Sequence, residues 1–525
     1  MTWEELLASR LDRRRLAGAA AAAALPLTLR ASARRPARVP FTPVPASGAD
    51  RFTVAKELDA RVLLRWQDDL GNGATFGNDP DFTAFFPIDL LDRGFDLARP
   101  HAGFAPRNAA STEGLLVVNH EQFDPRFLHG PSWRDRTAAQ IAREHGEVGV
   151  SVTRVARANG RWSVVRDRLN RRCDARTRFR MTGPAASIDG GPEAVGTLAN
   201  CSGGVTPWGT VLSCEENYHD YLSPGFGWSE EIYARRHYGW IVEIDPFDPA
   251  ATPRKHTALG RMRHENVAIR AAKDGTVAAY MGDDKIDSCV FKFVAARKLS
   301  RDREANLRLL EAGRLYAADF ANGRWLEIAQ TPEALADARA AALAVKATPV
   351  DRPEDLEIDP IDGSVFIAMT NNATHGNFHG HIVRLAESND DVASTTFDWS
   401  IFATGGPQSG FSSPDNLLFD DRGNLWMCTD VSDTSVGRGI YSFLGNNSMF
   451  FFPRGGSGAL HRFATGPVEC ELTGPAFTPD GSTLFLSVQH PGGDSAELET
   501  KGPSSHWPDG GSAMPRGAVM AITGF

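Results

Sequence analysis

The sequence predicts an all-β protein: a single six-bladed β-propeller with peripheral helical and loop insertions. Three observations support this fold class, namely a repeated glycine-turn hairpin, a high turn-residue content and a length that suits one large β domain. The chain has 525 residues, of which 50 are glycine and 32 are proline, and this composition indicates many turns. We assign residues 34–525 to one propeller domain and residues 1–33 to a leader segment.

The hairpin repeat consists of a turn glycine followed by a strand-like run. Examples are "TPWGTVLSCEE" (206–216) and "PIDGSVFIAMTNN" (360–372). Each run is rich in residues that favour strands, and glycine suits the positive φ of a tight turn. Since propeller blades recur as such units, we expect one blade per hairpin. The turn glycines are Gly114, Gly209, Gly275, Gly363, Gly423 and Gly481.

A short strand precedes most of these turns, and it opens on an acid or a cysteine. In a propeller the innermost strand of each blade lines a central channel, so equivalent strand starts meet at one mouth. Crowded carboxylates need cations to neutralise them, although any single acid could instead hydrogen-bond locally in its turn. The stretch 77–91 contains acids but has no place in this repeat. The residues in register are Cys201, Glu265, Glu354, Asp415 and Glu471.

Two adjacent acids, Glu215 and Glu216, end the strand in "NCSGGVTPWGTVLSCEEN" (200–217), which suggests that a cation is held there. Cys214 and Cys428 lie inside strand-like runs, where a free cysteine is usually a small core residue. Hydrogen-bonded structural roles are expected for the histidines at strand ends and in loops, which are His120, His264, His375 and His490.

The N-terminal segment predicts export. Arg13–Arg15 precede an alanine-rich core and the small-residue site Ala31–Ala33, a pattern typical of a twin-arginine leader, with an ordinary secretory signal as the alternative. No later run is long and apolar enough for a membrane span. The formal charge of −9 argues against a nucleic-acid partner. We therefore expect a periplasmic or secreted protein.

Several long motifs resemble the PhoX-type alkaline phosphatases. They are "NCSGGVTPWGTVLSCEEN", "RHENVAI" (263–269), "MGDDKIDSCVFKFV" (281–294), "RPEDLEIDP" (352–360) and "LTGPAFTPDGSTLFLSVQHPG" (472–492). The resemblance implies a monomeric six-bladed propeller that is exported by the twin-arginine machinery. It also implies hydrolysis of small phosphate monoesters with calcium and iron as cofactors.

The same resemblance implies roles for individual residues. Cys201 would be the iron thiolate, while Arg352 would contact the substrate phosphate. Departures from the family pattern, such as Cys470 before Glu471, put substrate preference in doubt more than metal binding. The implied carboxylate ligands are Glu265, Glu354 and Asp415, with Glu471 and one of Glu215 and Glu216 for calcium.

The chemistry of these donors agrees with the resemblance. Calcium prefers several oxygen ligands, whereas a thiolate favours a softer metal such as iron. The sequence has no G-x-S-x-G motif, so an oxygen nucleophile activated by metal ions is preferred over a covalent serine.

Two other functions compete with this interpretation. One is a calcium-dependent lactonase or gluconolactonase propeller, because the motif "SPDNLLFDDRGNLWMCTD" (413–430) resembles the blades of those enzymes. Cys201 argues against this alternative, since a lone calcium ion has no use for a thiolate ligand. The other is a non-catalytic propeller that binds a protein or polymer on its face. Among the insertions, "TPEALADARAAALAVKA" (331–347) predicts a peripheral helix with Thr331 as its N-cap.

Overall fold

The computed structural model describes residues 2–11, 39–93, 105–223, 226–228, 235–455 and 459–525. Its sheets form a six-bladed β-propeller, which confirms the predicted fold class. The innermost strands of neighbouring blades pack side by side in a closed ring. We number the blades 1 to 6 by these innermost strands, which are Pro80–Pro87, Asn200–Val205, His264–Ala271, Pro353–Ile358, Pro414–Phe419 and Glu471–Phe477.

Each blade continues outward through antiparallel partners. The second strands are Glu113–His120, Val211–Glu215, Val277–Asp283, Val365–Met369, Leu425–Thr429 and Thr483–Gln489. The third strands are Gly149–Ala158, Ile241–Ile244, Val290–Ala295, His381–Glu387, Ser448–Phe452 and Ala518–Thr523.

The outer strands differ in number between blades, and blade 2 contains a parallel pair, Arg178–Thr182 with Arg254–His256. A small extra sheet pairs Ile286–Ser288 with Val350–Asp351. The outer strands are, for blade 1, Arg161–Val164 and Arg171–Cys173; for blade 2, Arg254–His256, Arg178–Thr182 and Glu193–Val195; for blade 3, Gly313–Asp319 and Arg324–Glu327; for blade 4, Phe397–Thr404; for blade 5, His461–Thr465 and Thr53–Val54; and for blade 6, Asp59–Arg65.

The ring is closed by the two ends of the chain. Asp59–Arg65 pairs antiparallel with the C-terminal strand Ala518–Thr523 in blade 6. Thr53–Val54 adds a short edge to blade 5 by pairing with His461–Thr465. Blade 6 is therefore built from both ends of the propeller domain.

Five of the six predicted turn glycines lie in turns between an innermost and a second strand. Gly209, Gly275, Gly363, Gly423 and Gly481 all have φ between 70° and 87°, a region that favours glycine.

The prediction for Gly114 is wrong, and so is the exclusion of residues 77–91 from the repeat. Gly114 lies within the second strand of blade 1, opposite Pro87. The innermost strand of this blade, Pro80–Pro87, comes from the stretch that seemed to have no place. An insertion between these two strands replaces the short turn of the other blades, and this hid the repeat.

Every innermost strand also has an irregular register near the channel mouth. A β-bulge inserts an unpaired residue and redirects neighbouring side chains. In blades 1 to 5 the shifted segment contains the residue that faces the site, whereas in blade 6 Glu471 lies just before the shift. These residues are Asp81, Cys201, Glu265, Glu354 and Asp415. The register shifts lie between Pro80 and Thr83, Asn200 and Gly203, His264 and Val267, Pro353 and Leu356, Pro414 and Leu417, and Thr473 and Ala476.

The hydrophobic core lies between neighbouring blades. Cys214 is fully buried there with Trp208 and Ile241, and Cys428 is fully buried with Trp426 and Met449, in agreement with core roles for both cysteines.

The helices are short and peripheral. Thr331 caps a first helix as predicted, but Asp337 then caps a second, so the expected single helix is divided in two. None of the described helices is long and apolar enough to cross a membrane. The α-helices span residues 3–11, Leu90–Arg93, Pro125–His129, Ala138–Glu144, Arg303–Asn306, Pro332–Ala336, Ala338–Ala344 and Leu498–Lys501.

Candidate active site

A cavity of about 570 Å³ opens at the channel mouth where the innermost strands begin and the second strands end. All but one of the site residues predicted from sequence line this cavity, and the exception is Glu215. The structure therefore brings together residues from blades 2 to 6. Those lining the cavity are Cys201, Glu216, Glu265, Arg352, Glu354, Asp415 and Glu471.

Cys201 lies at the centre of the carboxylates. Its Sγ is 3.1 Å from Asp81 Oδ2 and 3.2 Å from Glu265 Oε1. It belongs to two groups whose ligand atoms all lie within 4.8 Å of one another, one with Asp81 and Glu121 and one with Glu216 and Glu265. Burial, together with the charges of Asp81 and Glu265, raises the pKa of the Cys201 thiol well above its usual value. A thiolate here therefore requires a nearby cation.

The backbone of Cys201 is held in place by a neighbouring blade. Asn119 Nδ2 donates to the carbonyl oxygens of Cys201 at 2.7 Å and of Ser202 at 2.8 Å. Because Asn119 lies on the second strand of blade 1, this amide ties blade 1 to the start of blade 2. The thiol position is thus fixed by the fold.

The two adjacent glutamates face opposite directions, as successive residues of an extended strand do. Glu216 lines the cavity, whereas Glu215 points into the body of blade 2. There the carboxylate of Glu215 accepts from Lys255 Nζ at 2.6 Å, from Thr197 Oγ1 at 2.9 Å and from the Gly239 amide at 3.0 Å. These contacts satisfy Glu215 without a metal ion.

The remaining carboxylates of the innermost strands crowd one another. Burial is the main cause that raises the pKa of Glu265, Glu354 and Glu471 well above the usual value, and neighbouring carboxylates add to it. The pKa of Asp415 rises to about 6, again chiefly through burial. Glu354 is only 3% exposed, and its Oε1 pairs with Arg352 Nη2.

The guanidinium of Arg352 lines the cavity and is held there by two neighbouring carboxylates. Its Nε and Nη2 each donate to a carboxylate oxygen of Asp284 at 2.8 Å, and Nη2 also pairs with Glu354. Its φ of 45° is unusual for a residue other than glycine, and such strain is common at functional sites. A guanidinium fixed in this way is suited to binding an anion with two hydrogen bonds.

Five residues of the mouth share a second register, and sequence reasoning assigned only Glu216 of them to the site. In every blade except blade 4, the residue directly after the second strand lines the cavity. The polar ends of the strands were visible in the sequence, but the exact facing position was not. These residues are Glu121, Glu216, Asp284, Asp430 and His490.

Blade 1 adds Asp79 and Asp81, which sequence reasoning also missed because residues 77–91 were left out of the repeat. Burial raises the pKa of Asp79 to about 7. His490 hydrogen-bonds the Glu469 carbonyl oxygen, as expected, but it also lines the cavity. Burial lowers its pKa, but Asp79, Asp433 and Asp430 outweigh burial and the net shift is upward. By contrast, His120 hydrogen-bonds Asn78 and Ser151, and His264 bonds the Gly260 carbonyl.

The charge balance of the cavity favours cations. Among its described lining residues, eleven are acidic, and the basic ones are Arg126, Arg352 and His490. Seven of the eleven acids are buried, and so many buried carboxylates cannot all ionise without positive charge between them. Carboxylate oxygens suit calcium, and a thiol among them suits a softer metal such as iron. The donor set of carboxylates and one thiol therefore fits a mixed metal cluster.

The fold and this pocket define a six-bladed propeller with a candidate cation-binding site at one end of its channel. The family model "Alkaline phosphatase PhoX" matches residues 39–492, so the chain belongs to the PhoX alkaline phosphatase family. This confirms the resemblance of the sequence motifs.

Solved structures agree with this assignment. The chain is similar to Pseudomonas fluorescens PhoX in complex with vanadate, a transition state analogue, at a TM-score of 0.81 and 31% identity, over 92% of this chain and 97% of that chain. Weaker likenesses include a protein of unknown function from Dyadobacter fermentans (TM-score 0.37, 10% identity, covering 88% of this chain and 99% of that one). Another is a 6-phosphogluconolactonase-like protein from Bacteroides uniformis (TM-score 0.28, 10% identity, 68% and 83%). No curated protein sequence matches the chain.

Proposed function

We propose that the protein is an exported alkaline phosphatase that hydrolyses small phosphate monoesters with a calcium and iron cluster at the channel mouth. Membership of the PhoX family supports the reaction class. The similar P. fluorescens enzyme was solved with vanadate, a transition state analogue, which for this chain supports phosphoryl transfer. The single observation that carries the proposal is the position of buried Cys201. It belongs to two clusters of possible metal ligands and lies in the same cavity as Arg352, whose guanidinium is held by Asp284.

The residues divide between the two kinds of metal. Cys201 with Asp81, Glu121 and Glu265 would hold iron, since Asp81 and Glu265 lie 3.1 and 3.2 Å from the thiol and Glu121 belongs to one of its two ligand groups. The calcium ligands would be Glu216, Glu354, Asp415 and Glu471, which supply only oxygen donors. When bound, such ions polarise phosphoryl oxygens and stabilise a leaving oxygen.

The remaining groups of the mouth position the substrate. Arg352 would bind the phosphate, and Asp284 would hold the guanidinium in the orientation required. These contacts and the pair with Glu354 would keep the guanidinium at the cavity before substrate arrives.

The alternatives predict different chemistry. A calcium-dependent lactonase has no use for a thiol among its ligands, and here Cys201 lies within 3.3 Å of two carboxylates. A non-catalytic binding propeller has no need of an arginine clamped above the acids.

Elemental analysis combined with activity assays tests the proposal. The purified protein should contain both iron and calcium, and it should hydrolyse p-nitrophenyl phosphate but not a gluconolactone. Calcium without iron, with lactone hydrolysis, would favour the lactonase. Metal-loaded protein that turns over neither substrate would favour the binding propeller.

Export remains part of the proposal. The arginine run Arg13–Arg15 and the cleavage site Ala31–Ala33 lie outside the described residues. We expect replacement of all three arginines by lysine to block export of the folded monomer through the twin-arginine machinery to the periplasm or beyond. Unimpaired export of this variant would indicate an ordinary secretory signal.

A further inference from the structure

The first helix of the chain is docked on the propeller although it belongs to the predicted leader. Residues 3–11 are helical, and Trp3 and Leu6 are 2% and 5% exposed. Both side chains belong to the core cluster between blades 3 and 4, and Leu7 and Leu11 pack against it. An export leader requires basic residues followed by an apolar core, but it does not require a buried helix ahead of them.

The helix carries its own folding signals. Thr2 Oγ1 accepts from the Glu5 amide at 3.3 Å, and Glu5 Oε2 accepts from the Thr2 amide at 2.8 Å, which together form a capping box. Apolar residues recur at helical spacing and give one continuous stripe. Acids occupy the first turn and Arg10 the last, as the helix dipole favours. The residues of the stripe are Trp3, Leu6, Leu7 and Leu11.

The surface that receives Trp3 is aromatic and comes from two blades. Trp3 stacks on Trp399 at a centroid distance of 5.3 Å and meets Phe320 edge-on at 5.2 Å. Phe320 follows a strand of blade 3, whereas Trp399 lies on the outer strand of blade 4. The indole of Trp399 also donates to the Phe320 carbonyl at 2.8 Å, which joins the two sides of the surface.

Polar contacts fix the position of the helix along this surface. The Arg10 guanidinium lies 4.7 Å from the Trp399 ring centroid, a cation–π distance. At the other end, Glu4 pairs with His375, which is 3.4 Å from Asp351. These contacts at both ends fix the position of the helix along the surface more closely than burial of its apolar side chains alone would do.

We propose that this surface is a binding site for an N-capped amphipathic helix with a tryptophan in its first turn, and that residues 2–11 are its intramolecular ligand. Arg13 follows Leu11 by two residues, a reach of at most about 7 Å. Docking therefore ties the predicted export signal to the folded domain. Because blades 3 and 4 both build the site, the helix is held only once both have folded.

Hydrogen exchange of the full chain tests the docking. The amides of residues 6–11 should be protected in the wild type, whereas an isolated helix of this length is marginal in water. Trp3→Ala should increase their exchange rate at least about 10-fold, because the aromatic anchor is lost. Ala8→Gln is the matched control: position 8 is exposed on the same helix, and glutamine is a good helix former, so protection should be unchanged. Equal exchange in the wild type and Trp3→Ala would overturn the proposal.

The domain side needs its own variant. Trp399→Leu should release the same amides although the leader sequence is intact, and the amides of the innermost strands report whether the domain still folds. If Trp399→Leu proves unfolded, Trp3→Ala provides a second route. A synthetic peptide of residues 2–11 should bind full-length Trp3→Ala protein and shift its own tryptophan emission to shorter wavelength. Failure of this peptide to bind the folded variant would also overturn the proposal.

Discussion

At the scale of single residues, the site depends on which of two neighbours faces the channel. Glu215 and Glu216 are chemically identical, yet one completes a buried ion pair and the other lines the cavity. From the sequence, the cavity-lining residue could be narrowed only to this pair. Strand alternation predicts that the two side chains face opposite sides of the strand, but it does not predict which one faces the core. The ion pair between Lys255 and Glu215 identifies Glu215 as the residue that faces the core.

Substitution of the two glutamates should give opposite results. We expect Glu216→Gln to lower bound calcium and phosphatase activity at least about 10-fold while stability is largely kept. Glu215→Gln should instead lower the free energy of unfolding by about 3–5 kcal/mol, because Lys255 loses its buried partner. Elemental analysis and urea unfolding of both variants check this. Loss of metal without loss of stability in Glu215→Gln would contradict the assignment.

Cys201 provides a second test at this scale. Cys201→Ser should lose iron selectively and reduce phosphomonoester hydrolysis, because a hydroxyl is a poor substitute for a thiolate ligand. Cys428→Ser is the matched control: this thiol is fully buried in the core, so its loss should cost about 1–3 kcal/mol of stability but no metal. If Cys201→Ser keeps its iron and full activity, the thiolate assignment is wrong.

At the scale of the element, the bulged innermost strand is the unit that builds the site. Four glycine-turn hairpins and their leading acids could be predicted from the sequence because both have residue signatures in a fixed register. The bulges could not, since they are backbone features without a distinctive residue pattern here. The acids after the second strands, such as Asp284 and Asp430, were missed because the sequence does not reveal which residue at the end of a strand faces the cavity. Blade 1 was missed because its long insertion removed the turn signal.

Close packing of neighbouring innermost strands can be tested at Gly204. A Cβ at this position would lie 2.0 Å from the Val267 carbonyl oxygen in the next blade, so the backbone must shift. We expect Gly204→Ala to lower the free energy of unfolding by about 1–3 kcal/mol. Gly48→Ala, where a Cβ would meet nothing within 4 Å, should have little effect. Equal unfolding midpoints for the two variants would argue against tight contact between the blades.

At the scale of the whole molecule, the acidic mouth links stability to pH and to metal. Without cations, the folded protein holds protons that the unfolded chain releases, because burial raises the pKa of Asp415 to about 6 and of Asp79 to about 7. The unfolded values lie near 3.9. Folding therefore takes up protons, and the resulting stability is present at low pH and lost as pH rises through the folded values.

Chelator-treated protein should thus become less stable between about pH 4.5 and pH 7.5. Metal-loaded protein should show no such loss, since the cations compensate the ionised carboxylates and stabilise the folded state by mass action. Urea unfolding midpoints at the two pH values, with and without metal, measure the difference. The same pH dependence in both forms would show that the mouth carboxylates are not neutralised by bound ions.

The closure of blade 6 has a consequence for the order of events during synthesis. Asp59–Arg65 meets Ala518–Thr523, so the first propeller strands emerge from the ribosome long before their partner exists. Pairing two strands that are so far apart in the sequence costs conformational entropy before any contact between them forms. This cost slows folding. The residues at the mouth come from every blade, from Asp81 to Glu471. The complete set of ligands therefore exists only once the ring has assembled, so ion binding would stabilise only that state. Under the proposed function, metal ions would therefore bind late, after synthesis, and would stabilise the closed ring of blades.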